Sequence, residues 1–202
     1  MPLGLPKVAY ELPGDPDAMW VDLYNQLYKR RLLFLGDVLD DDLANQITAA
    51  MVYLNIEDSS QIQYMYINSP GGSVLSGLSV HDMIQYVSAK VSTTCIGMAA
   101  SMASLVLAGG TPGYRFALPH ARMMIHQPEG VVGGQGGFIK YEYIEVGRLR
   151  EKMVRVYVQR TGQPASQIEY DLDRDAFMGP EASRFYGLID GIAQSMPDDL
   201  QN

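Results

Sequence analysis

A single cysteine, Cys95, rules out an intrachain disulfide in this chain of 202 residues. A disulfide-stapled scaffold is thereby excluded, and a reducing compartment is the expected setting. Cys95 lies in an apolar run and reads as a small buried hydrophobe. Basic charge is also scarce: 15 Lys and Arg stand against 23 Asp and Glu, giving a net charge of -8. That balance argues against nucleic acid and against an anionic membrane surface as partners. There is no long hydrophobic run. The most apolar stretch, 95–108, is too short to span a bilayer. Met1-Pro2-Leu3-Gly4-Leu5-Pro6 has no basic region followed by an apolar one, so no secretory signal is expected. There are only three histidines, and none has the Cys/His or His/Glu spacing of a metal site. Internal repeats and low-complexity tracts are missing as well.

What is present is a globular composition, 47% apolar and 19% charged, enough to build a real core. Residues 1–18 carry Pro2, Pro6, Pro13 and Pro16 and read as an irregular or extended arm. After them, strands and helices alternate. Arg31–Gly36 is a buried strand. Asp40, Asp41 and Asp42 begin a helix whose apolar positions are Leu43, Ile47, Met51 and Leu54. A strand over Ile62–Ile67 leads through the turn Ser69-Pro70-Gly71-Gly72 into a helix over Val74–Val87. A strand over Val91–Gly97 is followed by a helix over Ser101–Ala108. This alternation predicts an α/β fold, a mostly parallel sheet with helices on its faces.

The second half differs. Arg122–His126 is a short strand, and 130–137 is glycine-rich and extended. A long helix follows over about 138–160. Its apolar positions Ile139, Tyr143, Val146, Leu149, Met153 and Val156 form a coiled-coil-like seam, for another subunit or for its own domain. Gly162 and Pro164 end it. Gly147 lies mid-helix, where it costs about 1 kcal/mol relative to Ala.

Nucleophilic chemistry needs a serine at a sharp turn, a base, and dipoles for an oxyanion. Gly97-Met98-Ala99-Ala100-Ser101-Met102 places Ser101 between a strand and a helix, where free N–H groups point outward. An ordinary N-cap serine is the plain alternative. Gly71 and Gly72 end the preceding parallel strand and can turn N–H groups toward the same place as that of Met102. The alternative there is a simple turn. Among the histidines, His81 falls within a helix and His120 follows Pro119 in a connection. His126 ends a strand, and a rigid element is what a base needs. An orienting acid would come from Asp171, Asp173 or Asp175, which the residue pattern does not rank.

Four segments together carry a resemblance. They are Tyr66-Ile67-Asn68-Ser69-Pro70-Gly71-Gly72-Ser73, Gly97 to Met102, Pro119 to Pro128, and Asp173-Arg174-Asp175-Ala176-Phe177-Met178. They resemble the Clp protease proteolytic subunits, peptidase family S14, over about residues 20–193. The resemblance implies a crotonase-like superhelix of ββα units with a protruding handle helix. It divides the chain into an N-terminal axial arm (1–18), a peptidase domain (19–193, handle about 130–162) and a tail (194–202). It implies a serine endopeptidase in which Ser101 is the nucleophile, His126 the base and Asp175 the orienting acid. The oxyanion hole would be the N–H groups of Gly72 and Met102.

The same resemblance assigns Gly130, Val131, Val132, Gly133 and Gly134 to substrate binding by strand addition. Gln135 and Arg174 would meet across a ring–ring contact. Tyr64, Tyr66 and Tyr86 would dock an AAA+ unfoldase in a pocket between subunits. The partners implied are other subunits of this kind in heptameric rings, the unfoldase, and unfolded polypeptide. No cofactor is implied in this chain, ATP being spent by the unfoldase. Arg155-Val156-Tyr157-Val158-Gln159-Arg160-Thr161-Gly162 and the first residues look most like the plastid and cyanobacterial branch, implying plastid stroma or cyanobacterial cytoplasm. Two other readings stay open: a non-catalytic scaffold subunit of a mixed ring, and a crotonase-type acyl-CoA enzyme.

Overall fold

The computed structural model describes residues 6–10, 19–128, 136–197 and 200, with 136–139 described as backbone. Near the N-terminus, β1 (Lys7–Tyr10) and β2 (Met19–Asp22) pair antiparallel, Lys7 opposite Asp22 and Tyr10 opposite Met19. The expected boundary between arm and body at residue 18 therefore cuts through one paired unit. Asp22 ends the pair and caps α1 (Leu23–Lys29), its Oδ1 accepting from Tyr24 N at 2.8 Å.

The body alternates as the apolar pattern dictates: β3 (Leu32–Leu35), α2 (Asp41–Glu57), β4 (Gln63–Ser69), α3 (Val74–Tyr86), β5 (Val91–Ala100) and α4 (Met102–Gly109). Asp40 is the N-cap of α2, accepting from Leu43 N at 2.9 Å, and Asp41 and Asp42 lie in the first turn, where their charge suits the helix dipole. Ala44, Ile47, Met51 and Leu54 are buried on the sheet side of α2. Ala44 takes the place expected of Leu43, which is only half-buried.

The chain continues through β6 (Arg115–Ala117), β7 (Arg122–Ile125), α5 (Gly136–Thr161), α6 (Ala165–Leu172), β8 (Ala176–Met178), α7 (Pro180–Tyr186) and β9 (Gly191–Ile192). Strands β3, β4, β5, β6 and β9 lie side by side and parallel. Strand β5 has two partners. Thr93–Cys95 pair with Arg115–Ala117 of β6, whereas Met98–Ala100 pair with Arg122–Met124 of β7. This second pairing carries β5 past Gly97, the expected end, to Ala100. Gly97 sits at the change of partner because a Cβ there would collide with Asn68 Oδ1, the oxygen that accepts from Met98 N. β8 then pairs antiparallel with β7.

The core lies between sheet and helices. Every residue of α4 is buried, as its Ala- and Gly-rich sequence permits. α5 is amphipathic by halves. Met153, Val154 and Tyr157 are buried on the subunit itself, while Tyr141 and Tyr143 stand 73% and 78% exposed. The expected seam thus packs internally only in its C-terminal part, and Tyr157, not Val156, is its innermost residue. Gly147 meets nothing within 4 Å. At the far end of the sheet, Arg115 pairs with Asp190 and also donates to the carbonyls of Arg160 (2.9 Å) and Gly187 (2.8 Å). One guanidinium thereby joins the end of α5, the turn after α7 and the approach to β9.

Candidate active site

Ser101 stands between β5 and α4 with φ 53° and ψ -127°. That is a strained conformation for a residue with a side chain, and it holds only where the surroundings over-determine it. They do so here: Ser101 N donates to Met124 O of β7 at 2.9 Å, and its carbonyl accepts from Ser104 N at 3.0 Å. The pairing of β5 with β7 therefore sets the turn. An ordinary capping serine would accept from the helix N-terminus; Ser101 makes no such bond. Its Oγ lies 2.8 Å from His126 Nε2.

His126 follows directly on β7, just past Ile125, so its imidazole is aimed by the same strand that anchors Ser101. Gln127 N donates to Leu172 O at 2.7 Å and holds the turn after it. His126 Nδ1 is 3.4 Å from Asp175 Oδ1. Side-chain exposure is 18% for His126 and 60% for Asp175.

The three acids left unranked by sequence have separate partners. Asp171 is buried and accepts from Tyr186 OH (2.9 Å) and Gln167 Nε2 (2.8 Å). Asp173 pairs with Arg150 of α5 at 2.8 Å. Only Asp175 reaches the imidazole. The other histidines lie elsewhere. His120 is exposed in the turn before β7. His81 is buried in α3, its Nδ1 3.2 Å from Asp82, and burial lowers its pKa despite that carboxylate. Cys95 is buried, and burial pushes its thiol up to about 11, too high for a useful thiolate.

Gly71 and Gly72 lie against this turn. A Cβ on Gly71 would come within 2.7 Å of Ser101 Cβ and 3.0 Å of Met102 N, and φ at Gly71 is +92°. The parallel bridge to Leu39 uses Gly71 O and Ser73 N, which leaves the Gly72 N–H outside that ladder. Met102 is the first residue of α4, where an N–H has no acceptor one turn back. The Gly71–Gly72 turn and the first residue of α4 are thus adjoining segments at the Ser101 turn.

Two hydroxyls unnoticed in the sequence stand behind Ser101. Ser104 Oγ donates to Ser101 O at 2.7 Å and lies 2.8 Å from Tyr157 OH. A hydroxyl residue within the otherwise apolar run 102–108 was the available signal for Ser104. Tyr157 carried none, because an aromatic at helical spacing reads as core.

Residues 15–196 match the Clp protease family. The chain belongs to this family. It is 55% identical over 195 residues to an ATP-dependent Clp protease proteolytic subunit of Oltmannsiellopsis viridis, covering 96% of this chain and 100% of the relative. Proteins of the same name from Ostreococcus tauri (56% over 193 residues, 96% of each chain) and Marchantia polymorpha (50% over 203 residues, 100% of each chain) are also similar.

In this Clp protease chain the remaining expected residues fall as follows. Tyr64 and Tyr66 line a cavity of about 780 Å³ with Ile96, Phe116, Leu118 and Met196. Residues 194–197 line it too, so the start of the expected tail packs on the body. Tyr86 does not line this cavity; it is 81% exposed at the end of α3. Arg174 folds back over the Tyr170 ring (4.2 Å) and lies 3.8 Å from Asp171. Its expected partner Gln135 and the expected substrate strand, Gly130, Val131, Val132, Gly133 and Gly134, lie outside the described residues. Among the described residues, no three His, Cys, Asp or Glu side chains could hold a metal ion, and no helix is long and apolar enough to cross a membrane.

Proposed function

We propose that this chain is the proteolytic subunit of an ATP-dependent Clp protease, and that it cuts unfolded polypeptide as a serine endopeptidase. The observation that carries the reading is the 2.8 Å contact from His126 Nε2 to Ser101 Oγ at a strained strand-to-helix turn. His126 takes the Ser101 proton as Oγ attacks the scissile carbonyl carbon. The C=O electron pair moves to oxygen, and the N–H groups of Gly72 and Met102 receive the oxyanion. Collapse breaks the C–N bond, and His126 returns the proton to the leaving amine. Water then repeats the sequence on the acyl-enzyme and frees Ser101. Asp175 holds the imidazole in the tautomer with a proton on Nδ1 and stabilises its charged form. The carboxylate stands 3.4 Å from Nδ1, on the side of the ring opposite Ser101.

The relatives' shared name supports assembly with an ATP-driven partner. The subunit works in heptameric rings stacked into a chamber, fed by an AAA+ unfoldase. Tyr64 and Tyr66 line the apolar cavity suited to receive unfoldase loops, Tyr86 contributing from a neighbouring subunit. Arg174 stands beside the ring–ring contact. The algal and plant sources of the relatives support a plastid setting. The test is a fluorophosphonate probe on the purified complex, with mapping of the labelled residue. The label is expected on Ser101, and Ser101→Ala is expected to abolish short-peptide cleavage with assembly unchanged. An unlabelled Ser101 in an intact complex, or undiminished cleavage by the alanine variant, overturns the reading.

A further inference from the structure

The peptide unit joining Ser101 to Met102 faces two ways. In a planar trans peptide the C=O and N–H point in opposite directions. The N–H of Met102 is one of the two oxyanion donors in the proposed function, on which this inference rests. The Ser101 carbonyl points inward, to two buried hydroxyls. Ser104 Oγ is 2.7 Å from that oxygen, and Tyr157 OH is 2.8 Å from Ser104 Oγ but 3.4 Å from the carbonyl. Each hydroxyl has one proton. The arrangement that uses both short contacts has Tyr157 donating to Ser104 and Ser104 donating to Ser101 O. Tyr157 and Ser104 are both fully buried, so water does not compete for these bonds. Burial raises the phenol's pKa, which keeps Tyr157 a protonated donor throughout the working range.

We propose that Tyr157 and Ser104 are positioning residues for the oxyanion hole, a two-hydroxyl relay from the handle helix α5 to the peptide that presents the Met102 N–H. The relay does two things. It fixes the plane of a peptide whose N-terminal residue is strained at φ 53°, so the N–H stays aimed at the developing charge. It also polarises the peptide: donation to the carbonyl oxygen draws electron density from the nitrogen and makes the N–H a stronger donor. Preorganised donors of this kind act in the transition state and add little to ground-state binding. The C-terminal part of α5 therefore reports its seating to the catalytic turn through one phenol.

The test uses the assembled complex with Tyr157→Phe, Ser104→Ala and the double variant. Each single variant is expected to lower kcat for a short fluorogenic peptide by about tenfold, with KM within about twofold, since the lost interaction belongs to the transition state. Affinity for a peptide boronate, a tetrahedral mimic, is expected to fall in parallel with kcat/KM. The pH dependence of kcat/KM is expected to stay in place, and the double variant to lose less than the product of the singles. A kcat unchanged in both single variants, or a loss confined to thermal stability, overturns the relay and leaves the peptidase reading standing. Failure of the unsubstituted complex to label at Ser101 overturns both.

Discussion

His126 Nδ1 faces Asp175 Oδ1 at 3.4 Å, while Asp173, two residues earlier, is held by Arg150 of α5 at 2.8 Å. The loop that carries Asp173 and Asp175 is thus tied at one point to the imidazole and at another to α5.

Asp175→Asn is expected to lower kcat by about three to four orders of magnitude, because an amide at that place favours the wrong imidazole tautomer. Asp173→Asn, which only weakens an exposed pair, is expected to leave peptide turnover within about threefold. Asp171→Asn unbalances a buried site that accepts from Tyr186 and Gln167. It is expected to cost about 1–2 kcal/mol of stability with turnover per folded molecule retained. Kinetics and thermal melts on the three variants check the assignment, and equal kcat losses at Asp173 and Asp175 would refute it.

Gly71→Ala is expected to damage the site more than the fold. The added methyl would sit 2.6 Å from Ala100 O and 2.7 Å from Ser101 Cβ, at a backbone φ of +92° that L-residues avoid. Ser101 labelling by a fluorophosphonate is expected to slow by more than about tenfold, since about 2–3 kcal/mol of strain and displacement falls on the Ser101 turn. Circular dichroism and native mass are expected to match the parent. Unaltered labelling would show that the Gly71–Gly72 turn does not bear on the site.

His81 gives the fold a mild acid sensitivity. Burial, first, and then the charge of Arg160 lower its pKa, outweighing the contact with Asp82. The folded form therefore binds its proton less readily than the unfolded chain, where histidine titrates near ~6.5. Stability is full above that pH and declines as pH falls toward the lower folded value. His81→Gln is expected to flatten the decline in melting temperature as pH falls below about 6.5. An identical decline in the variant would assign it to other groups.

Asp190 has the opposite charge type and the same direction of pH effect. Burial opposes its ionisation, but the hydrogen bonds and charge of Arg115 and the N–H of Gly113 prevail and lower its pKa. Its stabilisation is present above about pH 3.9, the unfolded value, and is lost as pH falls through the lower folded one. Asp190→Asn is expected to cost about 2–3 kcal/mol near neutrality, leaving the nearly buried Arg115 short of its counter-charge. The gap from the parent is expected to narrow below about pH 4. A gap independent of pH in urea titrations would remove the ionic explanation.

Much of the framework was legible in the residues. Asp40 before an apolar 3.6-residue pattern starts α2 because a side-chain cap and a helix dipole are local effects. The runs that became β3, β4 and β5 were likewise readable, because aliphatic, aromatic and β-branched residues fill them. The short strands β6, β8 and β9 were not, since two or three residues carry no period. β5 ran on past Gly97 because β7, distant in sequence, offered it a second partner.

Sequence by itself determined the alternating α/β order, the single domain-sized core and, through four motif segments, the family. It also placed Ser101 between a strand and a helix and His126 at the end of a short strand, because element types are read from local pattern. Which of Asp171, Asp173 and Asp175 reaches the imidazole was decided only by tertiary structure. All three are aspartates at alternate positions of one short segment, and their partners, Tyr186, Arg150 and His126, lie on other elements. The strained turn at Ser101 and the hydroxyls of Ser104 and Tyr157 behind it belong to the same class. A backbone angle held by a neighbouring strand, and a bond between residues 53 apart in the chain, exist only once packing has brought the elements together.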